Sequence, residues 1–360
     1  YQGNLHINSV INYTITITNS QSSSTPAPFQ QRLNITEIEL GSTIWQYSEQ
    51  FKFLNFLFVS GSTPLYAWIE NYTSSYVLIW LKLPNGIPAD SSVQVTLYVT
   101  DKIEYPYTGI APQLTPVYAE YDNGQYVFDY YWNFAGSSLP SGWIKLSGTI
   151  TVNNGLLITS QCTSVIYNAT QFSSGVVLDF YGYIGQPTSS NNWNPEGFSP
   201  NDEQTCCPEG NFWIGDEASD CYVYGYNPSG SATPTYSNST IRVTSYAVFS
   251  IGLNGSTAFY WIDYIKMSKT YSQQASSNNI WFSWEGSGGG DTFIQWVRIR
   301  ALPPNGIMPS VTISPAKYQQ QISDGLYLAW RYTPLSNIIN VTLHITSFYK
   351  QNGNVGIAIY

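Results

Sequence analysis

Charge is what this chain has least of. Its 13 Lys and Arg and 22 Asp and Glu make up 10% of 360 residues, against about 25% in an ordinary soluble domain. With few ion pairs to lose and few like charges to create, such a surface changes little on protonation, so persistence in hot or acidic surroundings is expected. The formal charge is −9, and no Lys or Arg occurs between Lys145 and Arg242. That leaves no basic face to neutralise phosphates, and nucleic acid is not an expected partner. Histidine is almost absent: His6 and His344 are the only two, each between apolar neighbours on a predicted terminal strand. A Ser-His-Asp or Cys-His machine needs one of them beside a nucleophile, and a zinc site needs ligand spacing that is not there. No catalytic residue is assigned, and the chain is expected not to be an enzyme. No apolar run reaches the roughly 18 residues needed to cross a bilayer as a helix, and no segment sustains a 3.6-residue apolar period. The first residue is Tyr1 rather than Met, which reads as a mature exported product whose signal has been removed.

What is there is alternation. Ile11, Tyr13, Ile15 and Ile17 share one face, Val93, Val95, Leu97 and Val99 another, and Ile339, Val341, Leu343 and Ile345 repeat the pattern. Period two with one apolar side means strands with one buried face. Turns are supplied by Pro84-Asn85-Gly86, Asp122-Asn123-Gly124, Asn153-Asn154-Gly155 and Pro303-Pro304-Asn305-Gly306. The expected fold class is all-β, with two antiparallel β-sandwich domains. Breaks in composition at Gln21 to Pro28, Gly109 to Pro116 and Pro309 to Pro315 divide the chain. Residues 1–29 form a strand arm and linker and 30–118 a first sandwich, which 313–360 could complete. Residues 119–312 form a second sandwich with an insertion at 193–221, and 313–360 are C-terminal strands.

Longer strings carry a resemblance. Asn55-Phe56 to Phe58, Pro64-Leu65-Tyr66-Ala67-Trp68-Ile69-Glu70 and Ile79-Trp80-Leu81-Lys82-Leu83-Pro84 resemble an uncharacterised β-domain common in archaeal surface proteins. Ala111-Pro112-Gln113-Leu114, Tyr121-Asp122-Asn123-Gly124, Val127-Phe128 and Asn133-Phe134-Ala135-Gly136 open what resembles its usual partner, a concanavalin A-like lectin or laminin-G-like sandwich of jelly-roll type. Phe293-Ile294-Gln295-Trp296-Val297-Arg298-Ile299-Arg300 and Met308-Pro309-Ser310-Val311 close it. The resemblance spans about 280 residues and implies an exported adhesin, a sheath or filament component, or a virus surface protein. The alternating carboxylate strand of the glycosidase branch of this fold is not found in the chain.

Several side-chain groups are candidates for sites. Cys162, Cys206, Cys207 and Cys221 are even in number in an exported chain, so two disulfides are expected. A bond between neighbours would strain the peptide between them, so Cys206 and Cys207 take Cys162 and Cys221 in either order. Seven sequons begin at Asn12, Asn34, Asn71, Asn168, Asn238, Asn254 and Asn340 and permit glycosylation. Acidic residues gather in the insertion: Asp202, Glu203, Asp216, Glu217 and Asp220 offer the oxygen ligands that Ca²⁺ takes, although their spacing is that of no EF-hand and a solvated loop is the plainer reading. Trp193, Trp213, Tyr222 and Tyr224 could stack on sugar rings, although most such rings in a sandwich are core.

The function expected from these readings is that of a structural subunit of a surface filament, its partners further copies of itself. The arm residues Leu5, Ile7, Ile11, Tyr13, Ile15 and Ile17 would add a strand to a neighbour's sheet, and head-to-tail addition propagates as a fibre. The alternative is a glycan-binding adhesin or virion surface protein. A glycosidase ranks last, for want of an acid/base pair.

Overall fold

The computed structural model describes residues 11–101, 124–159, 164–185, 196–199, 212–215, 224–226, 235–236, 245–254, 257–266, 271–272, 278–284, 289–314, 317–321 and 327–331. The fold is all-β, built of antiparallel sheets.

In the first domain, β1 (Ile11–Asn19), β3 (Phe56–Ser60), β4 (Thr63–Pro64) and β7 (Ser91–Val99) lie in one sheet. β2 (Phe29–Thr36), β5 (Ala67–Tyr72) and β6 (Tyr76–Leu83) form a three-stranded second sheet. The buried faces of the two enclose Ile11, Tyr13, Ile15, Ile17, Leu33, Ile35, Ile69, Ile79, Leu81, Val95 and Leu97. Strict alternation in β1, apolar positions buried and Asn and Thr half-exposed, follows from the pleat. Helices α1 (Glu37–Leu40) and α2 (Ser42–Gln50) cap one end. They were not expected; α2 buries only Ile44, Trp45 and Ser48, too little to print a helical period.

The donor arm is corrected by this sheet. β1 pairs along its whole length with β7, from Ile11 opposite Val99 to Asn19 opposite Ser91. Its other edge pairs with β24 (Ser310–Ile313) and β25 (Lys317–Gln321), the latter followed by β26 (Tyr327–Arg331). Both ladders of β1 are therefore used inside its own domain, and Ile11, Tyr13, Ile15 and Ile17 are at most 1% exposed. They are core, not a tether; Leu5 and Ile7 lie outside the described residues. The Ser/Pro stretch after β1 is no free linker either. Thr25 donates its backbone N–H to the Ile87 carbonyl, and the Asn19 amide donates to the carbonyls of Ser23 and Pro88, binding the stretch to the β6–β7 turn.

Helix α3 (Gly124–Val127) precedes the second domain. One sheet runs β10 (Ile150–Val152), β11 (Leu156–Ile158), β23 (Thr292–Ala301), β13 (Val176–Tyr183), β18 (Ala247–Asn254), β19 (Thr257–Ile262) and β20 (Ile265–Lys266), with β8 (Tyr130–Trp132) on β23 and β21 (Tyr271–Ser272) on β19. The other runs β17 (Thr235–Tyr236), β16 (Tyr224–Tyr226), β15 (Phe212–Gly215), β14 (Glu196–Ser199), β22 (Asn278–Trp284), β12 (Ser164–Phe172) and β9 (Trp143–Ser147). Leu178, Phe180, Phe249, Ile251, Val297 and Ile299 from the first meet Ile166, Phe198, Ile214, Ile280 and Phe282 from the second.

β18 and β23 are buried on both faces, which a two-layer sandwich does not produce. The cause is the first domain. Its three-stranded sheet turns Trp68 and Trp80 outward onto Val248 and Trp296 of the second domain, with Val127 and Phe128 filling the gap. The molecule is thus a stack of four β layers, and the middle seam carries its least ordinary side chains.

Candidate functional site at the domain seam

Arg298 is the centre of the seam. It follows Val297 and precedes Ile299, which point into the sandwich core, so the pleat sends Arg298 and Arg300 the other way, toward the first domain. Arg298 is fully buried. Its Nε donates to Asp179 Oδ2 at 2.8 Å, Nη1 to Glu70 Oε2 at 2.9 Å and Nη2 to the Tyr264 hydroxyl at 2.8 Å. Aromatic rings surround the guanidinium, with centroids at 4.4 Å for Trp80, 4.5 Å for Phe128, 4.7 Å for Trp296 and 5.2 Å for Trp68. Three bonds and the ring faces offset the cost of taking a cation out of water.

The acids are equally engaged. Asp179 sits opposite Arg298 on β13 and also accepts from Arg300 Nε at 2.7 Å and Nη2 at 3.2 Å. Burial works to raise its pKa, but Arg300 and Arg298 outweigh burial and hold the carboxyl below the ordinary range. Glu70, from β5 of the first domain, accepts from the Trp80 indole N–H at 2.7 Å and from the Tyr264 hydroxyl. Burial also lowers the pKa of Arg298, yet Tyr264, Asp179 and Glu70 together lift it above the usual value. Burial raises the Tyr264 phenol well above its ordinary range, with Arg298 opposing.

Tyr264 reaches this place through a strained turn. Asp263 and Tyr264 join β19 to β20 with φ of 47° and 66°, the left-handed conformation that a two-residue hairpin turn demands and a bulky side chain resists. The hydrogen bonds to Glu70 and Arg298 offset that cost. At the near edge of the cluster, Gln30 donates to the Val127 carbonyl and to Asp129, while its Oε1 accepts from the Ala301 N–H. The seam therefore locks the two domains at fixed register.

A second feature lies on the far layer, away from the first domain. Tyr167 of β12 and Trp281 of β22 are paired in register and stacked, centroids 4.9 Å apart at 16°. They alternate with Ile166, Ile280 and Phe282 of the core, which turns them away from it, Tyr167 half-buried and Trp281 only 2% exposed. The same cross-strand row continues through Gly197 to Trp213 and on to Tyr226.

Inside the second sandwich, Glu196 pairs in register with Phe282 and Ile214 and is fully buried. Burial pushes its carboxyl well above the ordinary range, against the Ser283 N–H that donates to it at 3.1 Å.

The residues singled out from sequence fall elsewhere. Cys162, Cys206, Cys207 and Cys221 lie outside the described residues, as do Asp202, Glu203, Asp216, Glu217, Asp220, Trp193 and Tyr222. Trp213 and Tyr224 are placed on β15 and β16. Among the described residues no group of three or more His, Cys, Asp or Glu could hold a metal ion. Of the sequons, Asn34 and Asn254 are exposed and Asn12 and Asn71 half-buried, while Asn238 and Asn340 lie outside the described residues. Asn168 is a correction: it is fully buried, packed beside Gly142, and the folded chain has no room there for a glycan. The seam residues went unnoticed in the sequence, although a charge inside an apolar β run of so uncharged a chain was a signal for them: Asp179 in Val177-Leu178-Asp179-Phe180, Arg298 and Arg300 around Ile299.

No protein-family model matches the chain. It is similar to Uncharacterized protein 562 of Sulfolobus islandicus rod-shaped virus 1, 32% identical over 342 residues, which cover 83% of this chain and 58% of that protein. A 41-residue stretch is 54% identical to the putative transmembrane protein ORF1334 of Acidianus two-tailed virus, covering 11% of this chain and 3% of that one. The chain spans a little over half of the longer-matched relative and a small part of the other. Among the described residues, no helix is long and apolar enough to cross a membrane. Among solved structures, the chain is similar to one of the endo-acting O-glycanases of gut microbiota (TM-score 0.40, 11% identity, 48% of this chain and 99% of that one). It is also similar to an endo-β-1,3-glucanase from Pyrococcus furiosus (TM-score 0.39, 11% identity, 49% and 94%) and to β-agarase A (TM-score 0.39, 14% identity, 48% and 90%). These likenesses assign no activity to this chain. With an archaeal-virus protein as its relative, the chain is related to proteins that such viruses encode.

Proposed function

We propose that this chain is a non-enzymatic surface protein of an archaeal virus particle, a rigid four-layer β block that presents the outer sheet of its second domain. The observation that carries the reading is the seam. Arg298, Asp179 and Glu70 are spent on one another there, without solvent access, and the Arg298–Glu70 pair crosses the domain boundary. Groups paired and buried in this way hold parts together rather than meet a substrate. Similarity to the rod-shaped virus protein supports the viral setting. Association with further copies would then be side by side, because β1 already spends both of its edges at home. Immunogold labelling of intact Sulfolobus islandicus rod-shaped virus 1 particles, with antibody raised against the related protein, tests this. Decorated intact particles are expected; label confined to disrupted particles or infected-cell lysate overturns the reading.

A second reading, carbohydrate binding by the outer sheet, is favoured by the half-buried Tyr167, which stacks on the buried Trp281. Aromatic faces are what sugar rings stack on. A glycan array probed with the full chain tests it, and selective binding lost in Tyr167→Ala supports it.

A further inference from the structure

We propose that the domain seam binds a monovalent inorganic anion, chloride or one of its size, between the guanidinium groups of Arg32 and Arg300. Arg298 and Arg300 pair with the carboxylates of Glu70 and Asp179, and Arg32, over the Tyr264 ring beside them, adds a third guanidinium, one positive charge in excess of the two acids. Arg298 has every nitrogen bonded. Arg300 does not: it is 3% exposed, and its Nη1 is buried with no hydrogen-bond partner. Arg32 of β2 has its guanidinium over the Tyr264 ring at 4.2 Å and is half-buried. It lies opposite Trp80 in register, and the Arg300 guanidinium stands 5.1 Å from the centroid of the Trp80 ring. Trp80 and Tyr264 are themselves 5.7 Å apart, so both cations sit on one aromatic pair.

Two cations brought this close in a dry seam repel, and each buried donor left unmatched adds to the cost. Burial and Arg300 both depress the Arg32 pKa, with Tyr264 and Glu70 opposing. Asp263, exposed, accepts from the Val248 N–H. Asp129 is engaged by Gln30 and Lys82. A water molecule could accept from Arg300 Nη1 but would leave the charge. One halide accepts from both guanidinium groups and cancels the excess, and a divalent anion would overshoot it. Entry is from the Arg32 side, the half-open end.

The test uses the full chain and bromide as a heavy stand-in for chloride. Crystals soaked in sodium bromide should show an anomalous peak in contact with both guanidinium groups. In solution, replacing methanesulfonate by chloride at constant ionic strength should raise Tm by about 2 °C or more, and Arg32→Gln should abolish that rise. An ordered water with no anomalous signal at the site overturns the proposal, as does an equal chloride effect in wild type and Arg32→Gln. Should Arg32→Gln fail to fold, the bromide map of the wild-type crystal decides alone.

Discussion

Replacing Arg298 by Met, which keeps most of the volume and the fit to the surrounding rings, removes the charge at the centre of the seam. Three charge-assisted hydrogen bonds of 2.8 to 2.9 Å disappear, each worth about 1.5–3 kcal/mol. Part of that sum is returned, since the guanidinium no longer has to be dehydrated. What remains is set by the acids left behind. Asp179 keeps Arg300, while the fully buried Glu70 loses the guanidinium and keeps the neutral donors Trp80 and Tyr264. Breaking a buried pair by deleting one partner costs about 3–5 kcal/mol, and that is the expected loss for Arg298→Met by urea denaturation at pH 7. Because Glu70 loses its bond to Arg298, adding Glu70→Gln should recover part of the loss. A loss below about 1 kcal/mol, or a double variant no more stable than Arg298→Met alone, would refute the account of the seam as a clamp.

Glu196→Gln should stabilise the second domain at neutral pH. The folded carboxyl is raised by burial, so it favours the native state below the unfolded pKa of about 4.3, and that contribution fades as pH rises through the folded value. Each tenfold change in the acid equilibrium is worth about 1.4 kcal/mol, and the variant's stability should fall less than wild type's as pH rises above about 4.3 in denaturation series. Gly182→Ala should destabilise by about 1–3 kcal/mol, because its new methyl would meet the Phe293 carbonyl oxygen of the neighbouring strand at 1.9 Å; thermal unfolding reads this. Removing residues 1–20 should unfold the first domain instead of releasing soluble monomers, since Ile11, Tyr13, Ile15 and Ile17 are core and burying each contributes about 1.5–3 kcal/mol; circular dichroism of the truncated chain checks it. Occupied sequons, read by mass spectrometry of glycopeptides, should include Asn34 or Asn254 before Asn168, which is buried.

The strands were legible where one face meets a core and the other meets water. β1 and β7 show the alternation of their sequences directly in their burial. Their partners were not legible: that β1 sits between β7 and β24 depends on contacts nearly three hundred residues apart, and a Ser/Pro stretch after a strand reads the same whether it floats or is pinned. β23 was quoted in the sequence as a mark of the second domain, yet the meaning of its two arginines was hidden. An outward residue is expected to meet solvent, and here the outward face meets a second domain. The helix α2 was missed because three buried positions do not make a period.

β1 and β24 are antiparallel neighbours, Ile15 opposite Ile313 and Thr18 opposite Ser310, while the whole second domain lies between them in sequence. The second domain is therefore spliced into the first. Mechanical tension applied through the sequence before β1 and after β24 would be carried by the ladders that β1 makes with β24 and β25 and would bypass the second domain. The far sheet, with its stacked Tyr167 and Trp281, would remain unloaded while the first domain bore the pull.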